Sequence, residues 1–249
     1  MIRCYLPAAR WEDGMAELDE EESKHLVAVM RAQAGDRIGL IDGEGGEGEA
    51  ELVVPHKKHA GIRLVSRGKA APFMPRRILA QALVREQKMD WLIQKAVELG
   101  VHEIWPLQTE HAVVRIHPEA AAKKAERWGA IALAACKQSG NPWRPRIAPV
   151  RSLAAVLAEG VPGAACFGAL QPEAVMLPDY FGRLRREGCA AVTMFIGPEG
   201  DFSPGEVAAL RASGVQPVTF GPIVFRVETA AVFILSALHY AWLGGEASA

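Results

Sequence analysis

Apolar runs of strand length recur along the second part of the chain and alternate with segments of helix length. The runs comprise residues 78–84, 101–107, 163–170, 190–197 and 215–221. Strands that alternate with helices are typical of an α/β domain on a mostly parallel sheet. The pattern predicts such a domain from residue 72 onward.

Two helices are marked by their own start and stop signals. Residues 88–99 place apolar side chains on one face and polar ones on another, and Gly100 follows as a stop signal. Ser203 supplies a capping hydroxyl, Pro204 suits the first helical position, and Glu206 completes a capping box. A helix is therefore predicted to begin at Pro204.

The first seventy residues have a different texture. Short β-like runs separated by glycine and charge clusters predict a small β-rich unit. The runs cover residues 37–41, 50–55 and 61–66. Residues 70–75 contain two prolines and are predicted to be a linker. Two domains are therefore predicted, residues 1–71 and residues 72–249.

Charge is balanced overall but unevenly placed. The 249 residues are 23% charged with a net charge of -1, which disfavours a protein that holds nucleic acid through an overall positive field. Residues 52–85, however, contain no acidic residue. Their basic residues are Lys57, Lys58, Arg63, Arg67, Lys69, Arg76, Arg77 and Arg85. They suit either phosphate contacts or a strand edge protected from aggregation, and both interpretations stay open.

Cysteine usage and hydropathy point to the cytoplasm. The four cysteines form no C-x-x-C pair, and the first eleven residues carry no apolar signal-peptide core. The longest apolar stretch, residues 230–243, is interrupted by Ser236 and His239 and falls short of the roughly 18 residues of a membrane span. It is predicted to be a buried helix in a cytoplasmic protein.

Residues 43–48 match the dinucleotide-binding pattern G-x-G-x-x-G. That fingerprint works because a helix N-terminus follows and receives the pyrophosphate. Here residues 49–54 are strand-like, and Glu44 and Glu47 would repel an anion. A hairpin turn is predicted, which disfavours a nicotinamide oxidoreductase. His102 and Glu103 lack the second histidine of a zinc motif, and no metal site is predicted.

Two strand-to-helix loops have the character of a ligand site. Residues 195–203 join an apolar strand to a capped helix through glycines that allow close approach of a ligand. Residues 220–230 are apolar apart from Arg226, Glu228 and a threonine, which indicates a loop buried against something. Arg226 then needs an anionic or polar partner. That partner is a ligand or, alternatively, Glu228 or Glu199 in a structural ion pair.

These residues carry a family resemblance that spans nearly the whole chain. The sequence Ile-Gly-Pro-Glu-Gly with Phe-Ser, followed by Gly-Pro and Arg-x-Glu-Thr-Ala, resembles the E-type small-subunit ribosomal RNA methyltransferases of the SPOUT class. Further matches are Lys88-Met89-Asp90-Trp91, residues 94–100, Thr109-Glu110, Arg127-Trp128 and Gln138-Ser139-Gly140. The N-terminal unit resembles the family's PUA-like RNA-binding domain at His25-Leu26, residues 29–31, Gly35-Asp36 and Asp42-Gly43.

The resemblance implies the fold and the reaction. It implies an α/β fold with a trefoil-knotted, mostly parallel SPOUT sheet and a small N-terminal β-rich PUA-like domain. It also implies a homodimer that binds S-adenosylmethionine and methylates N3 of a uridine in 16S ribosomal RNA, without metal or membrane. The chain departs from the family's usual residues at His111, Lys137, Asn141 and Ile223.

Site roles follow from the loops and the resemblance together. We expect Arg226 to stabilise the uridine anion and Glu199 to accept or position the proton, with Glu228 as the alternative base. The expected cofactor-binding residues are Leu170, Ile196, Gly197, Gly200, Phe220, Gly221, Val224 and Phe225. The expected RNA-binding residues are Arg31, Lys57, Lys58, Arg63, Arg67, Arg76 and Arg77. The alternative function is that of a non-catalytic RNA-binding or ribosome-assembly protein.

Overall fold

The computed structural model describes residues 1–11, 14–169 and 173–243. The chain folds into two compact units. One comprises Met1–Pro72 together with Leu133–Arg144, and the other comprises Phe73–Ala132 together with the described residues from Pro145 onward. The predicted two-domain division did not include the packing of Leu133–Arg144 with the N-terminal unit.

The N-terminal unit is built on a five-stranded sheet. Its strands are β1 (Arg3–Tyr5), β2 (Met15–Glu17), β3 (Arg37–Ile41), β4 (Gly46–Val54) and β5 (Gly61–Lys69). Their order in the sheet is β1-β3-β4-β5-β2, and all neighbours are antiparallel except the parallel pair β1 and β3. Alternate residues of these strands face an apolar core that includes Ile38, Leu52 and Ile62. The β-rich unit predicted from the sequence is confirmed.

A short helix, α1 (Glu20–Lys24), lies between β2 and β3 in the chain and continues into a wider π-helical turn, His25–Val29. Asp19 caps α1, because its carboxylate accepts a hydrogen bond from the Glu22 backbone N–H at 2.8 Å. Leu26 and Leu18 bury their side chains in the core beside the sheet. The helical segment thus covers one face of the β-rich unit.

The glycine-rich segment is a turn into a strand. Asp42 Oδ1 accepts hydrogen bonds from the backbone N–H groups of Glu44 and Gly46, both at 2.7 Å. Gly43 and Gly45 have φ values of 79° and 93°, which favour glycine. Since β4 begins at Gly46, no helix N-terminus follows to receive a pyrophosphate. The hairpin turn predicted for residues 43–48 is confirmed, because β3 and β4 on either side of it pair antiparallel.

The second unit is built on an eight-stranded parallel sheet. The strands are β6 (Arg76–Ala82), β7 (Glu103–Gln108), β8 (Arg146–Ile147), β9 (Arg151–Ser152), β10 (Ala164–Gly168), β11 (Val175–Met176), β12 (Ala191–Ile196) and β13 (Gln216–Thr219). Their order is β11-β13-β10-β12-β6-β7-β8, with β9 also paired to β7. The five strands predicted in this region are confirmed as β6, β7, β10, β12 and β13. The trefoil knot stays a prediction.

Helices connect these strands. They are α2 (Glu86–Glu98), α3 (Pro118–Ser139), α4 (Leu153–Glu159), α5 (Leu177–Arg186), α6 (Pro204–Ala212) and α7 (Val227–Trp242). The start of α6 at Pro204 is confirmed, with both hydrogen bonds of the capping box between Ser203 and Glu206 formed. Among the described helices, none has the length and apolar character that a bilayer span requires.

The parallel arrangement decides where a ligand can bind. All carboxyl ends of the central strands meet at one edge of the sheet, as the parallel register of β10, β12 and β6 shows. Ligands of open parallel sheets bind at this edge, because the connecting loops leave a crevice there. The loops after β10, β12 and β13 therefore form the candidate site.

Candidate functional site

A cavity of about 530 Å³ opens at the carboxyl edge of the sheet in the second unit. Its lining comes from the loops that follow β10, β12 and β13 and from the first turns of α2 and α7. The lining residues are Lys88, Gly168, Ala169, Ile196, Gly197, Pro198, Glu199, Asp201, Phe220, Gly221, Ile223, Val224, Phe225, Arg226, Val227 and Ala230. The volume lies within the range of small-molecule sites, about 300–1,000 Å³.

Two glycines keep the cavity walls close together. A Cβ atom on Gly197 would lie 3.3 Å from the Phe202 backbone nitrogen, and one on Gly168 would lie 3.2 Å from the Phe220 ring. Both distances are shorter than ordinary van der Waals contact. Any larger residue at these positions would therefore displace the wall of the cavity.

An aromatic cluster holds the loop after β13 against α7. The ring centroids of Phe220 and Phe225 are 6.0 Å apart, and each ring also contacts Phe233 of α7, at 5.6 and 5.1 Å. Such ring pairs contribute about 0.5–1.5 kcal/mol beyond the burial of their area. The cluster gives the apolar side of the cavity a defined shape.

The polar side of the cavity is organised by Lys88. Its Nζ atom lies 3.2 Å from Glu199 Oε1 and 3.2 Å from Glu228 Oε2. The two carboxylates raise the pKa of Lys88, mainly through the hydrogen bond with Glu199 and then through the ion pair with Glu228. One ammonium group therefore joins α2, the loop after β12 and the first turn of α7.

Glu228 is held in its ionised form. Burial, the largest effect, would raise its pKa, but its own backbone N–H, Lys88 and the charge of Arg226 together lower the pKa below the ordinary value. Its place in the first turn of α7 also suits a negative charge, because the amino end of a helix is positive.

Arg226 is the N-terminal cap residue of α7 and lines the cavity. Its side chain is exposed and, among the described residues, makes no salt bridge with Glu199 or Glu228. The structural ion pair considered as an alternative is formed by Lys88 instead. The guanidinium group is therefore available to an anionic partner.

Most of the residues predicted for cofactor binding meet at the cavity. Those in its lining are Ile196, Gly197, Phe220, Gly221, Val224 and Phe225. Leu170 lies outside the described residues. Gly200 lies in the same loop, between the lining residues Glu199 and Asp201, and a Cβ atom there would be 3.1 Å from the Cβ of His111. Its role in cofactor binding stays a prediction.

The predicted catalytic residues also converge. Glu199 and Arg226 line the cavity. Glu228 pairs with Lys88, which is itself a lining residue. Lys88 itself was not predicted as a site residue. Its signals in the sequence are its place just after a predicted parallel strand, which puts it at the carboxyl edge of the sheet, and its position in the family match Lys88-Met89-Asp90-Trp91.

Comparisons with known proteins agree with this geometry. Residues 73–239 match the family model described as RNA methyltransferase domain, and residues 18–65 match one described as RNA methyltransferase PUA domain. The chain is 31% identical over 226 residues to ribosomal RNA small subunit methyltransferase E of Bacillus subtilis, and the match covers 88% of each chain. The chain belongs to the ribosomal RNA small subunit methyltransferase E family.

Solved structures of methyltransferases share the fold over nearly the whole chain. A ribosomal RNA small subunit methyltransferase E from Neisseria gonorrhoeae, bound to S-adenosyl methionine, is 29% identical with a TM-score of 0.87, and the match covers 97% of this chain and 98% of that one. A putative methyltransferase from Legionella pneumophila, in complex with the same cofactor, is 31% identical with a TM-score of 0.87 and the same coverage. Both the PUA-type sheet and the parallel sheet are thus features of the family.

Five of the residues predicted to bind RNA lie on the surface of the N-terminal unit. Arg31, Lys57, Lys58, Arg63 and Arg67 are all exposed. Lys58 Nζ lies 3.7 Å from Glu20 Oε1. The guanidinium group of Arg63 donates a hydrogen bond to Glu51 Oε2 at 2.9 Å. Their positive charges lie on the unit that matches the family's PUA domain.

The other two predicted RNA-binding residues belong to the second unit, and one requires a correction. Arg77 is only 2% exposed and donates hydrogen bonds to the Leu99 carbonyl at 2.8 Å and to His239 at 3.0 Å. A buried guanidinium that stabilises the end of α2 cannot contact RNA. Arg76 is half-exposed and pairs with the buried carboxylate of Glu103.

Three of the four departures from the family's usual residues have structural partners. His111 contacts the loop after β12, Lys137 pairs with the buried Glu22, and Asn141 accepts a hydrogen bond from the Trp143 backbone N–H at 3.0 Å. Ile223 lines the cavity and is 70% exposed. The first three therefore contribute to folding within their own units.

Among the described residues, no group of three or more histidine, cysteine, aspartate or glutamate side chains is arranged to hold a metal ion. The chemistry available at the cavity is that of its carboxylates, its ammonium group, its guanidinium group and its backbone.

Proposed function

We propose that this protein transfers a methyl group from S-adenosylmethionine to N3 of a uridine in the RNA of the small ribosomal subunit. The observation that supports this most is the cavity at the carboxyl edge of the parallel sheet, where Arg226 and Glu199 face the same space. Family membership supports the methyl donor and the ribosomal RNA substrate. The substrate would place the protein in the cytoplasm, with the ribosomal subunits.

The residues of the cavity suit S-adenosylmethionine. The glycines Gly168 and Gly197 let Phe220 and Phe202 pack close to the backbone and so shape the cavity. The apolar side chains of Ile196, Val224 and Phe225 would hold the adenosine. The carboxylates of Glu199 and Asp201 give a negative side that suits a cationic ligand. When bound, S-adenosylmethionine supplies a methyl group already activated by a sulfonium centre.

The protein's own residues would manage the acceptor. N3 of uridine carries a proton that must leave before or during methylation, and the negative charge then spreads over O2 and O4. Arg226 is free of salt bridges in the described structure and would stabilise that charge. Glu199 would accept or orient the proton, with Glu228 as the alternative.

The exposed basic residues of the N-terminal unit would dock the RNA. Lys57, Lys58 and Arg67 can contact phosphates without reading bases, which gives affinity and orientation. The second unit then provides the chemistry.

We further propose a homodimer. Five apolar side chains on the loop after β13, on α7 and directly after α7 expose between 39% and 79% of their surfaces: Ile223, Val224, Phe233, Tyr240 and Leu243. Clustered exposed apolar side chains mark an interaction surface, and a second copy of the chain would cover them. Light scattering at micromolar concentration should give the mass of a dimer, whereas a monomer would contradict this proposal.

The decisive experiment uses small ribosomal subunits from a strain that lacks its own enzyme of this family. The purified protein is incubated with them and with S-adenosylmethionine carrying a labelled methyl group, and nucleosides are then analysed by mass spectrometry. Labelled N3-methyluridine is expected. A different labelled nucleoside would exclude the proposed position. Binding of the subunits without methyl transfer, and without calorimetric binding of S-adenosylhomocysteine, would favour the non-catalytic RNA-binding protein.

A further inference from the structure

Lys88 connects the two candidate proton acceptors of the site. It stands in the first turn of α2, whereas Glu199 follows β12 and Glu228 belongs to the first turn of α7. Its Nζ atom lies 3.2 Å from a carboxylate oxygen of each. Three segments that are distant in the sequence therefore meet at one ammonium group beside the cavity.

The charges around this group are of both signs. Arg226 lies in the loop before α7 and lowers the pKa of Glu228, and Asp201 lines the same cavity from the loop after β12. With Lys88 present, Glu199 and Glu228 share one positive charge. Without it, the two carboxylates would face each other with Arg226 as the remaining cation at the site, and their repulsion would favour a proton on one of them.

We propose that Lys88 is a positioning residue of methyl transfer, which holds Glu199 and Glu228 together at the cavity and keeps the Glu228 carboxylate ready to accept a proton. This inference rests on the proposed function, because it concerns the removal of the uridine N3 proton. Lys88 acts through the carboxylates. A carboxyl group that already carries a proton cannot accept the uridine N3 proton. Loss of Lys88 would therefore slow methyl transfer at low and neutral pH.

The first test needs neither cofactor nor RNA. Glutamate labelled with ¹³C at Cδ is incorporated, and NMR follows the titration of Glu199 and Glu228, which are assigned with Glu199→Gln and Glu228→Gln. In Lys88→Met the carboxyl pKa of Glu228 should rise by about one to three units, the size of effect that a neighbouring opposite charge exerts. Lys88→Arg should restore most of the original titration.

Lys95→Met is the matched control. Lys95 lies on the same helix, has nearly the same side-chain exposure, at 35% against 33% for Lys88, and also pairs with a carboxylate, that of Glu98 at 2.8 Å. Its replacement should leave the titrations of Glu199 and Glu228 unchanged. Lys88→Gln provides a second neutral variant should Lys88→Met fold poorly.

The second test is the pH profile of single-turnover methylation. In Lys88→Met the acid limb of the rate profile should move to higher pH in parallel with the NMR titration, and Lys88→Arg should return it. Unchanged carboxyl titrations, or a fall in melting temperature with an unmoved acid limb, would overturn the inference. If the wild-type protein methylates no ribosomal RNA, the proposed function fails, whereas the NMR result still decides whether Lys88 controls the carboxylates.

Discussion

His111 Nδ1 lies 3.0 Å from the carbonyl oxygen of Gly200 and 3.1 Å from that of Asp201. Because carbonyl oxygens only accept, the ring nitrogen donates its hydrogen to both, which fixes the tautomer. The neighbouring Glu110 backbone N–H donates at 2.9 Å to the carboxylate of Glu206, which completes the capping box of α6. The loop after β7 therefore supports the loop after β12, which forms one wall of the cavity.

His111→Ala should loosen this wall and weaken cofactor binding. One hydrogen bond contributes about 0.5–1.5 kcal/mol, so we expect the affinity for S-adenosylhomocysteine, measured by calorimetry, to fall by roughly 2- to 12-fold. His117→Ala, at an exposed histidine later in the same loop, is the control and should bind normally. Equal affinities of the two variants would show that His111 does not support the site.

Local signals in the sequence were sufficient where the structure depends on neighbouring residues. The capping box at Ser203 and Glu206 fixed the start of α6, and the apolar periodicity located α2 to within two residues of its start at Glu86. The carboxyl-edge rule for parallel sheets then placed most of the cavity lining. These features depend on spacing within one segment or on a general property of the sheet.

Contacts between distant segments were not predictable in the same way. Lys88 meets residues more than a hundred positions away, and its place near the start of α2 does not show which residues those are. Arg77 was assigned to RNA because it lies in a basic stretch, but alternation along β6 turns it into the core while Arg76 faces outward. The loop at Ile223 and Val224 was expected to be buried, and both side chains are exposed in the single chain.

His102 should make the stability of the second unit depend on pH. Burial and then the charges of Arg77 and Arg76 lower its pKa from 6.5 to about 4, and its Nδ1 accepts a hydrogen bond from the Arg77 backbone N–H at 3.1 Å. The unfolded chain therefore binds a proton more readily than the folded one. The stabilisation that neutral His102 contributes is fully present above about pH 6.5, and it is lost as the pH falls through about 4.

Urea unfolding between pH 7.5 and 4.5 measures this dependence. The wild type should lose stability as the pH falls, with up to one proton taken up on unfolding through His102. His102→Gln should have a lower free energy of unfolding at neutral pH and a flatter dependence on pH. Parallel curves for the two proteins would exclude His102 as the group responsible.

Lys57 and Lys58 should contribute to RNA affinity and not to the chemistry. Both are exposed on the loop between β4 and β5. The test measures the affinity of the double variant Lys57→Ala, Lys58→Ala for small subunits at several salt concentrations. A plot of log affinity against log salt concentration should be less steep than for the wild type. The difference in slope should be about 0.7–0.9 for each phosphate that a lysine no longer neutralises. Calorimetric binding of S-adenosylhomocysteine should be unchanged. An unchanged salt slope would remove this loop from the RNA-binding surface.

Arg226→Ala should impair catalysis more than folding. The guanidinium is exposed and makes no salt bridge with Glu199 or Glu228 among the described residues, so the melting temperature and the affinity for S-adenosylhomocysteine should stay near those of the wild type. Loss of one charged donor to a developing anion costs roughly 3 kcal/mol, or about a hundredfold in the rate of single-turnover methylation. The remaining rate should rise more steeply with pH, because hydroxide must then ionise N3 without help.

Arg186→Ala, at an exposed arginine on α5, is the control and should methylate normally. A variant at Arg226 that loses stability and cofactor binding together, with an unchanged pH profile, would assign this arginine to the structure alone.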